Sequence, residues 1–293
     1  MNVLSKKINF AVVFKVKNAN PNGDPLGENM PRTDNDNFGE VTDVCIKRKI
    51  RNRLLDLGEH ILVQSNDYKR DNYSSIKKRL EETIGKSSDK EEQDEYVKNA
   101  CEKFFDVRAF GQVIAWDKLS IGIRGPVTLQ SAFSTEQVEI ISKQITKSVN
   151  NENEKGDKKG SDTMGMKHCV KYGIYVFKGA INPQLAEKTG FSDEDAEKIK
   201  SVLPKLFEND ASSARPEGSM EILEVVWWEH NSKSGQYSSA EVHRSLEVVS
   251  NEEIILKKLK DLKTYEWNVE NKKYSEVEVK DEKTIDISKY NKG

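Results

Sequence analysis

The sequence has few of the residues that a disulfide-stapled, metal-bound or membrane protein needs. Its three cysteines, Cys45, Cys101 and Cys169, are widely separated and form no CxxC pair, so neither a disulfide framework nor a zinc site is predicted. No apolar run approaches the roughly 20 residues that span a bilayer, and Met1 to Lys7 lacks the apolar core of a secretory signal. We therefore expect a cytoplasmic protein with reduced thiols and no membrane contact.

Motifs of catalysis are missing as well. The chain has four histidines, His60, His168, His230 and His243, and none is close in sequence to another. It contains no HExxH, GxSxG, P-loop or GxGxxG pattern, so hydrolases, nucleotidases and dinucleotide-binding enzymes have no local support. We expect a protein that is not an enzyme, with no catalytic residue, no metal site and no cofactor.

An excess of positive charge is also missing. The chain has 47 lysine and arginine residues against 49 aspartate and glutamate residues, and its formal net charge is -2. A free-standing nucleic-acid binder is usually basic overall, so the total charge argues mildly against that class. Only a local basic patch could reverse this argument.

The N-terminal region begins with a predicted strand and continues into a polar loop. Apolar residues alternate loosely through Asn9 to Val16, which is typical of a strand with one face in the core. The following segment, Asn18 to Asp34, is dense in Asn, Pro, Gly and Asp. This composition predicts irregular structure that presents backbone amides and short polar side chains.

The sequence next predicts a helix, from Thr42 as N-cap to Gly58 as the C-terminal stop. Its helical spacing places Ile46, Ile50, Leu54 and Leu57 on one apolar stripe. Five basic residues and no acid fall between Val44 and Leu55; they are Lys47, Arg48, Lys49, Arg51 and Arg53. Because they follow a Gly/Asn loop at the positive end of a helix dipole, they suit a run of phosphates. The alternative is that they only solvate the flanks of a core helix.

The remaining segments complete a mixed α+β pattern. The predicted elements are a solvated helical insertion at Ser65 to Lys103, strands at Phe104 to Trp116 and Ser120 to Phe133, a mobile loop at Thr146 to Asp162, a strand at Lys171 to Ile181, a helix at Ser192 to Asp210 kinked at Pro204, a strand at Glu221 to His230, and a hairpin at Trp267 to Val279. Their order fits a ferredoxin-like antiparallel sheet with two helices on one face and large insertions. There is no internal repeat, so any repetition must come from copies of the whole chain.

Other residues with chemical potential have competing interpretations. An acidic cluster before the basic helix could hold a metal, although such loops are usually turns; it comprises Asp24, Glu28, Asp34, Asp36, Glu40 and Asp43. Met164 and Met166, flanking Gly165, could wedge against bases, but such methionines are more often core. His168 beside Lys167 could hydrogen-bond phosphate or be a structural histidine. Phe133, Trp227 and Trp228 are better explained as core or subunit-interface residues than as stacking platforms.

Several motifs together resemble one known family. They are NPNGDP (Asn20 to Pro25), MPRTD (Met30 to Asp34), TDVCIKRKIRN (Thr42 to Asn52), IRGPV (Ile123 to Val127), TMGMKH (Thr163 to His168) and SSAEVHRSLEVV (Ser238 to Val249). The first three, in this order, are highly specific. Over most of its length the chain resembles the Cas-seven family of backbone proteins from type I CRISPR Cascade complexes, and it is most similar to the type I-C branch.

The resemblance implies a modified, hand-shaped RNA-recognition (RRM-like) fold with palm, fingers and thumb. It implies a single domain over 1–293, a fingers insertion at 60–103 and a flexible thumb-like insertion at 134–170. It also implies a helical oligomer for antiviral defence, with copies assembled head to tail along crRNA and joined by other Cascade subunits. Target DNA would be read by pairing with the guide, while the protein reads only the backbone.

The same resemblance implies the residues that contact RNA. These are Asn22, Gly23, Lys47, Arg48 and Arg51, with Arg32 and Lys49 as weaker candidates, and the thumb residues Met164, Met166, Lys167 and His168. Many relatives carry Arg where this chain has Met166, so the role of that position is open. Two other functions remain as alternatives: a metal-dependent endoribonuclease of the type III backbone kind, using Asp24 or Asp34, and a stand-alone single-stranded RNA-binding protein.

Overall fold

The computed structural model describes residues 2–86, 93–116, 119–146, 164–250 and 253–290. It shows a mixed α+β protein built on a large antiparallel sheet, which confirms the predicted fold class at that level. The helices of these ranges are α1 (Asp43–Asp56), α2 (Ile76–Ile84), α3 (Gln93–Lys103), α4 (Phe105–Phe110), α5 (Pro183–Thr189), α6 (Asp193–Val202) and α7 (Ser239–Arg244). None of them is long and apolar enough to cross a bilayer.

The strands of the described chain, in order, are β1 (Ile8–Ala19), β2 (Gly23–Asp24), β3 (Met30–Pro31), β4 (Phe38–Val41), β5 (Gly111–Trp116), β6 (Leu119–Arg124), β7 (Val127–Leu129), β8 (Ala132–Gln137), β9 (Ile140–Thr146), β10 (Met164–Ile181), β11 (Met220–Glu229), β12 (Leu246–Ser250), β13 (Glu253–Lys257), β14 (Lys263–Asn268), β15 (Lys273–Val277) and β16 (Glu282–Asp286). The main sheet has the order β15-β14-β11-β1-β10-β8-β4, and β7 and β9 also pair with β10. A smaller sheet has the order β12-β13-β16.

Strand β1 lies at the centre of the main sheet, antiparallel to β10 and β11. On one face, Phe10, Val12 and Phe14 enter a core shared with α1 and α6. On the other face, Ala11 and Val13 enter a second core with α7, β12 and β13. The prediction of a single buried face was therefore too limited, because the C-terminal segments cover the second one.

Helix α1 begins and ends where its sequence indicates. The Thr42 side chain accepts from the Cys45 backbone N–H at 3.3 Å, which caps the first turn. Gly58, just beyond the last turn, has a φ of +85°, a left-handed conformation that favours glycine. Ile46, Ile50 and Leu54 are buried as predicted, but Leu57 is 53% exposed. Leu57 is exposed because it forms the C-cap, after the last full helical turn.

The insertion after α1 corrects a second prediction. Instead of a solvated region without a core, α2, α3 and α4 enclose a separate apolar cluster with Leu62 at its base. Phe104 to Phe110, predicted as strand, is largely helix α4, and the strand begins only at Gly111. The alternation of charged and apolar residues in this segment resembles a strand pattern. It arises because Phe105 and Ala109 enter the main core, whereas Phe104 and Val107 enter the cluster of the insertion.

Two further boundaries differ from the sequence prediction. Pro204 does not kink a continuing helix: α6 stops at Val202, and Leu203–Lys205 forms a 3₁₀ turn. The late hairpin is β14–β15, so it starts at Lys263, earlier than predicted. The Asn18 to Asp34 loop is irregular except for the short β2–β3 ladder. The predicted mobile loop at Thr146 to Asp162 lies, apart from Thr146, outside the described residues.

Two of the histidines sit in a buried polar network rather than in a site. His230 Nε2 lies 3.0 Å from Asn9 Oδ1, and His230 Nδ1 accepts from the Gln236 backbone N–H. His243 Nε2 lies 3.0 Å from the Gly179 carbonyl oxygen. Burial, and then the nearby Lys7 charge, lowers the pKa of His230 to about 4, and burial lowers the pKa of His243 as well. Both shifts favour the neutral form of the imidazole.

This network predicts acid sensitivity of the fold. Because the folded pKa of His230 lies below its ordinary value of 6.5, the unfolded chain takes up the proton first as the pH falls. Its contribution to stability is complete above that value, then declines by about 1.4 kcal/mol per pH unit until the folded pKa is reached. Denaturant unfolding across this window should give a flatter pH dependence for His230→Gln than for the wild type; parallel curves would contradict the prediction.

Candidate nucleic-acid interface

The loop before α1 is fixed to the first turn of that helix. Asn22 Oδ1 accepts from both the backbone N–H and the hydroxyl of Thr42, at 3.0 and 2.9 Å. Gly23 pairs with Pro31 in the β2–β3 ladder, and a Cβ at Gly23 would lie only 1.9 Å from Asn29 Oδ1. Any side chain at position 23 would therefore clash with Asn29 unless Asn29 moved. The loop thus presents the 22–23 backbone at a defined place beside the helix N-terminus.

Tertiary contacts neutralise part of the basic helix. Lys49 is 4% exposed and forms an ion pair with Asp210. Arg51 Nε donates to Asp106 Oδ2 at 2.8 Å, in a pair whose carboxylate is 1% exposed. Because these acids come from distant parts of the chain, the acid-free stretch in the sequence did not reveal them. The Lys49 ammonium and Arg51 guanidinium groups therefore already have anionic partners.

Asp106 positions α1, and sequence reasoning missed it. Besides Arg51, it accepts from the backbone N–H groups of Leu62 and Val63 at 2.7 and 3.1 Å. It thereby joins α1, the 62–63 segment and α4. A lone aspartate within the apolar stretch FFDVRAF was the available signal, since a buried carboxylate requires a cationic or amide partner.

Lys47 and Arg48 differ from Lys49 and Arg51 because, within the described ranges, neither forms an ion pair with a buried acid. Lys47 pairs with Asp43, one turn away at 2.9 Å and partly exposed. Arg48 Nη1 donates to the uncharged Val63 carbonyl oxygen at 2.7 Å. Burial, and then the neighbouring Arg51 charge, lowers the pKa of Arg48, although the nearby Asp106 charge acts to raise it. Val44, on the same helix face, is 68% exposed, so this face is open to solvent.

Arg32 lies on the same loop as Asn22 and Gly23. Its Nη2 contacts Asp24 Oδ1 at 3.2 Å, and the pair is about one-third exposed. Its Nε is buried and has no hydrogen-bond partner among the described residues. The loop also contacts the main sheet, because β3 packs against β10. Beyond β3, the Asn37 carbonyl oxygen accepts from the Val138 N–H at 3.0 Å.

The β9–β10 hairpin separates residues that the sequence grouped together. Met164, Met166 and His168 alternate onto one face, opposite Thr146, Gln144 and Ser142 of β9. Lys167 lies on the other face. Met164 and Met166 are 68% and 52% exposed, whereas His168 is buried with Nδ1 2.8 Å from Ser142 Oγ. His168 Nε2 has no partner within the described chain.

The acidic cluster of the loop is divided among separate local contacts. Asp34 Oδ1 accepts from the backbone N–H groups of Asp36 and Phe38 at 3.0 and 2.9 Å, which closes a turn. Asp24 Oδ1 accepts from Leu26 N–H as well as from Arg32. Within the described ranges, no group of three or more His, Cys, Asp or Glu residues could hold a metal ion.

Comparison with known proteins gives a family. Residues 6–270 match the model of the family described as CRISPR-associated protein Cas7. A curated "CRISPR-associated protein Cas7" from Haloferax volcanii is 25% identical over 268 residues, covering 85% of this chain and 77% of the relative.

Among solved structures, a chain of a "CRISPR RNA-guided surveillance complex, pre-nicking" aligns over 76% of this chain and 78% of its own length, at 15% identity and a TM-score of 0.47. A chain of the "Type III-B Cmr-beta bound to cognate target RNA" aligns over 75% and 60%, at 11% identity and a TM-score of 0.39.

The fold defines an α+β protein in which one large antiparallel sheet positions a polar loop, a basic helix and a two-stranded hairpin. The family match covers nearly the whole of that architecture. The chain belongs to the Cas7 family of CRISPR-associated proteins.

Proposed function

We propose that this chain is the backbone subunit of a type I CRISPR surveillance complex, of the I-C kind. In this role it oligomerises along crRNA, binds the phosphate backbone and presents the guide for pairing with target DNA. Family membership and the motifs of the loop and of α1 support this proposal. Other Cascade subunits are its further partners, and the complex acts in the cytoplasm.

The observation that carries the proposal is the incomplete neutralisation of Lys47 and Arg48. On their face of α1, Val44 is exposed, and neither Lys47 nor Arg48 forms an ion pair with a buried acid among the described residues. Asn22 holds Thr42, the N-cap, one turn before them. A ribose-phosphate chain supplies an anionic partner for them, and a backbone amide beside a helix N-terminus adds to the site. Arg32, on the same loop as Asn22 and Gly23, is a further candidate for contact with phosphate. Lys49 and Arg51 hold α1 in place through internal ion pairs.

A head-to-tail assembly explains how a protein with a net charge of -2 can hold RNA. Repeating one heterologous contact gives an open helical array, in which a small patch per copy becomes a continuous track. Each copy then needs only a few phosphate contacts. The hairpin residues Met164 and Met166 are the candidates for contact with bases, because their thioethers are exposed.

The proposal includes a finer reading of the fold. The order β11-β1-β10-β8, with α1 and α6 in one shared core, is the order expected for a modified RRM-like sheet. On this reading residues 1–293 form one hand-shaped domain. Residues 60–103 are the fingers and residues 134–170 are the thumb-like insertion.

We also propose that the chain does no cleavage chemistry, and one purification tests both parts. The chain co-expressed with its partners should carry RNA in an elongated particle visible by electron microscopy. With Mg²⁺ and a complementary RNA, it should give no regularly spaced cuts. A lone globular species without RNA would overturn the backbone function; cuts abolished by Asp34→Ala would favour the endoribonuclease.

A further inference from the structure

The face of the β9–β10 hairpin that carries Lys167 holds an unusual pair of charges. Lys143 of β9 lies directly opposite Lys167 of β10 in the antiparallel register. Side chains opposite each other in such a ladder have Cβ atoms about 5 Å apart, and like charges at this distance destabilise the pairing. Neither ammonium group has an acidic partner in the described part of the chain.

The next charged rung on the same face shows a different arrangement. Lys171 pairs with Glu139 at 2.7 Å, next to the ladder formed by Val170 and Ile140. The hairpin therefore combines one neutralised rung near the body of the protein with one dicationic rung farther out. An anion that bridges Lys143 and Lys167 would remove the repulsion between them.

The other face of the hairpin has different chemistry. It presents the exposed thioethers of Met164 and Met166. The Gln144 side-chain amide, on β9, donates from Nε2 to Met164 Sδ at 2.8 Å. From 164 to 169, β10 pairs only with β9 among the described strands. Met164, Met166 and Lys143 are exposed and Lys167 is half-buried, whereas His168 and Cys169 are buried. The lysine face also carries the half-exposed Ile145, so the two faces differ in charge rather than in the presence of apolar side chains. A projection with methionines on one face and two lysines on the other can contact two segments of nucleic acid at once.

Resting on the proposed function, we propose that Lys143 and Lys167 form a second phosphodiester-binding site, separate from the α1 surface. The methionine face contacts bases, and the dicationic face binds the phosphates of a different segment. That segment is either the guide where it passes to the next subunit or the target strand paired with it. Both present the same chemistry, so the experiment must distinguish them.

The test uses the complex purified with its endogenous RNA. Lys143→Gln/Lys167→Gln is compared with the wild type, and Lys171→Gln serves as the matched control because its charge is already neutralised. RNA retained per protein is measured first, then the affinity for a complementary single-stranded DNA at several salt concentrations. Each lost phosphate contact should flatten the slope of log K against log salt by about 0.7 per subunit.

Unchanged RNA content with at least a tenfold loss of DNA affinity assigns the site to the target strand. A loss of retained RNA assigns it to the guide. Equal RNA content, affinity and salt slope in the double variant and wild type would overturn the inference. Lys167→Glu should keep the melting temperature of the wild type or raise it, because it creates a Lys–Glu rung, and should still weaken binding.

Absence of RNA from the wild-type complex would instead remove the proposed function. The lysine pair is then judged on the purified chain with a single-stranded RNA oligonucleotide. Equal affinity with and without the two lysines would overturn the inference, and a flatter salt slope in the double variant would support it.

Discussion

Replacing Lys47 and Arg48 together with alanine should reduce guide RNA loading by about 100-fold per subunit while leaving the fold intact. Each charge-assisted contact contributes about 1.5 kcal/mol at the low end of its range, and two such contacts correspond to that factor. The fold should persist because Lys47 has only a partly exposed pair with Asp43, and such pairs contribute at most about 1 kcal/mol. Arg48 contacts an uncharged carbonyl.

Loading is measured as RNA retained per protein after purification from cells that express the partner subunits. Lys258→Ala/Lys260→Ala is the charge-matched control, since it removes the same charge from an exposed turn distant in sequence from α1. Urea unfolding of both double variants checks the fold. Wild-type loading by Lys47→Ala/Arg48→Ala would remove the α1 surface from the proposal. Arg51 is left unchanged because its removal would leave the buried Asp106 carboxylate without its cationic partner, which would destabilise the fold.

Asp106→Ala should lower the free energy of unfolding by about 3 to 5 kcal/mol, the usual cost of removing one partner from a buried ion pair. The Arg51 guanidinium and the amides of Leu62 and Val63 would all lose their acceptor. RNA loading should fall as well, because the Val63 carbonyl that contacts Arg48 is held in place through Asp106.

Glu102→Ala provides the comparison for this prediction. Glu102 forms an exposed one-turn pair with Lys98 in α3, so its removal should change stability by less than about 0.5 kcal/mol. Both variants are measured by equilibrium urea unfolding under the same conditions. A change of less than about 1 kcal/mol for Asp106→Ala would show that the buried pair does not hold α1 to the insertion.

Local sequence signals predicted the elements that depend on local chemistry. Thr42 and Gly58 bounded α1 correctly, and the apolar runs identified β1, β10 and β11. The burial of Trp227 and Trp228 agrees with their interpretation as core residues, whereas Phe133 is 44% exposed. These predictions succeed because capping and periodicity act over a few residues.

Long-range pairing could not be predicted in the same way. Asp210 reaches Lys49 across 161 positions and Asp106 reaches Arg51 across 55, so nothing adjacent in sequence announces either partner. The separation of Met166 and Lys167 onto opposite hairpin faces required the strand assignment, because a flexible loop would impose no such alternation. The charge of a helix therefore depends on its tertiary partners as much as on its own residues.

The two covered faces of the main sheet limit where a polynucleotide can run. Helices α1 and α6 pack over one side of the central strands, and α7 with the small C-terminal sheet packs over the other. Bases therefore have no flat aromatic floor on which to spread across β1 and its neighbours. Under the proposed function, a bound strand would therefore contact the periphery of each copy, at the loop, α1 and the hairpin, rather than the faces of the central strands.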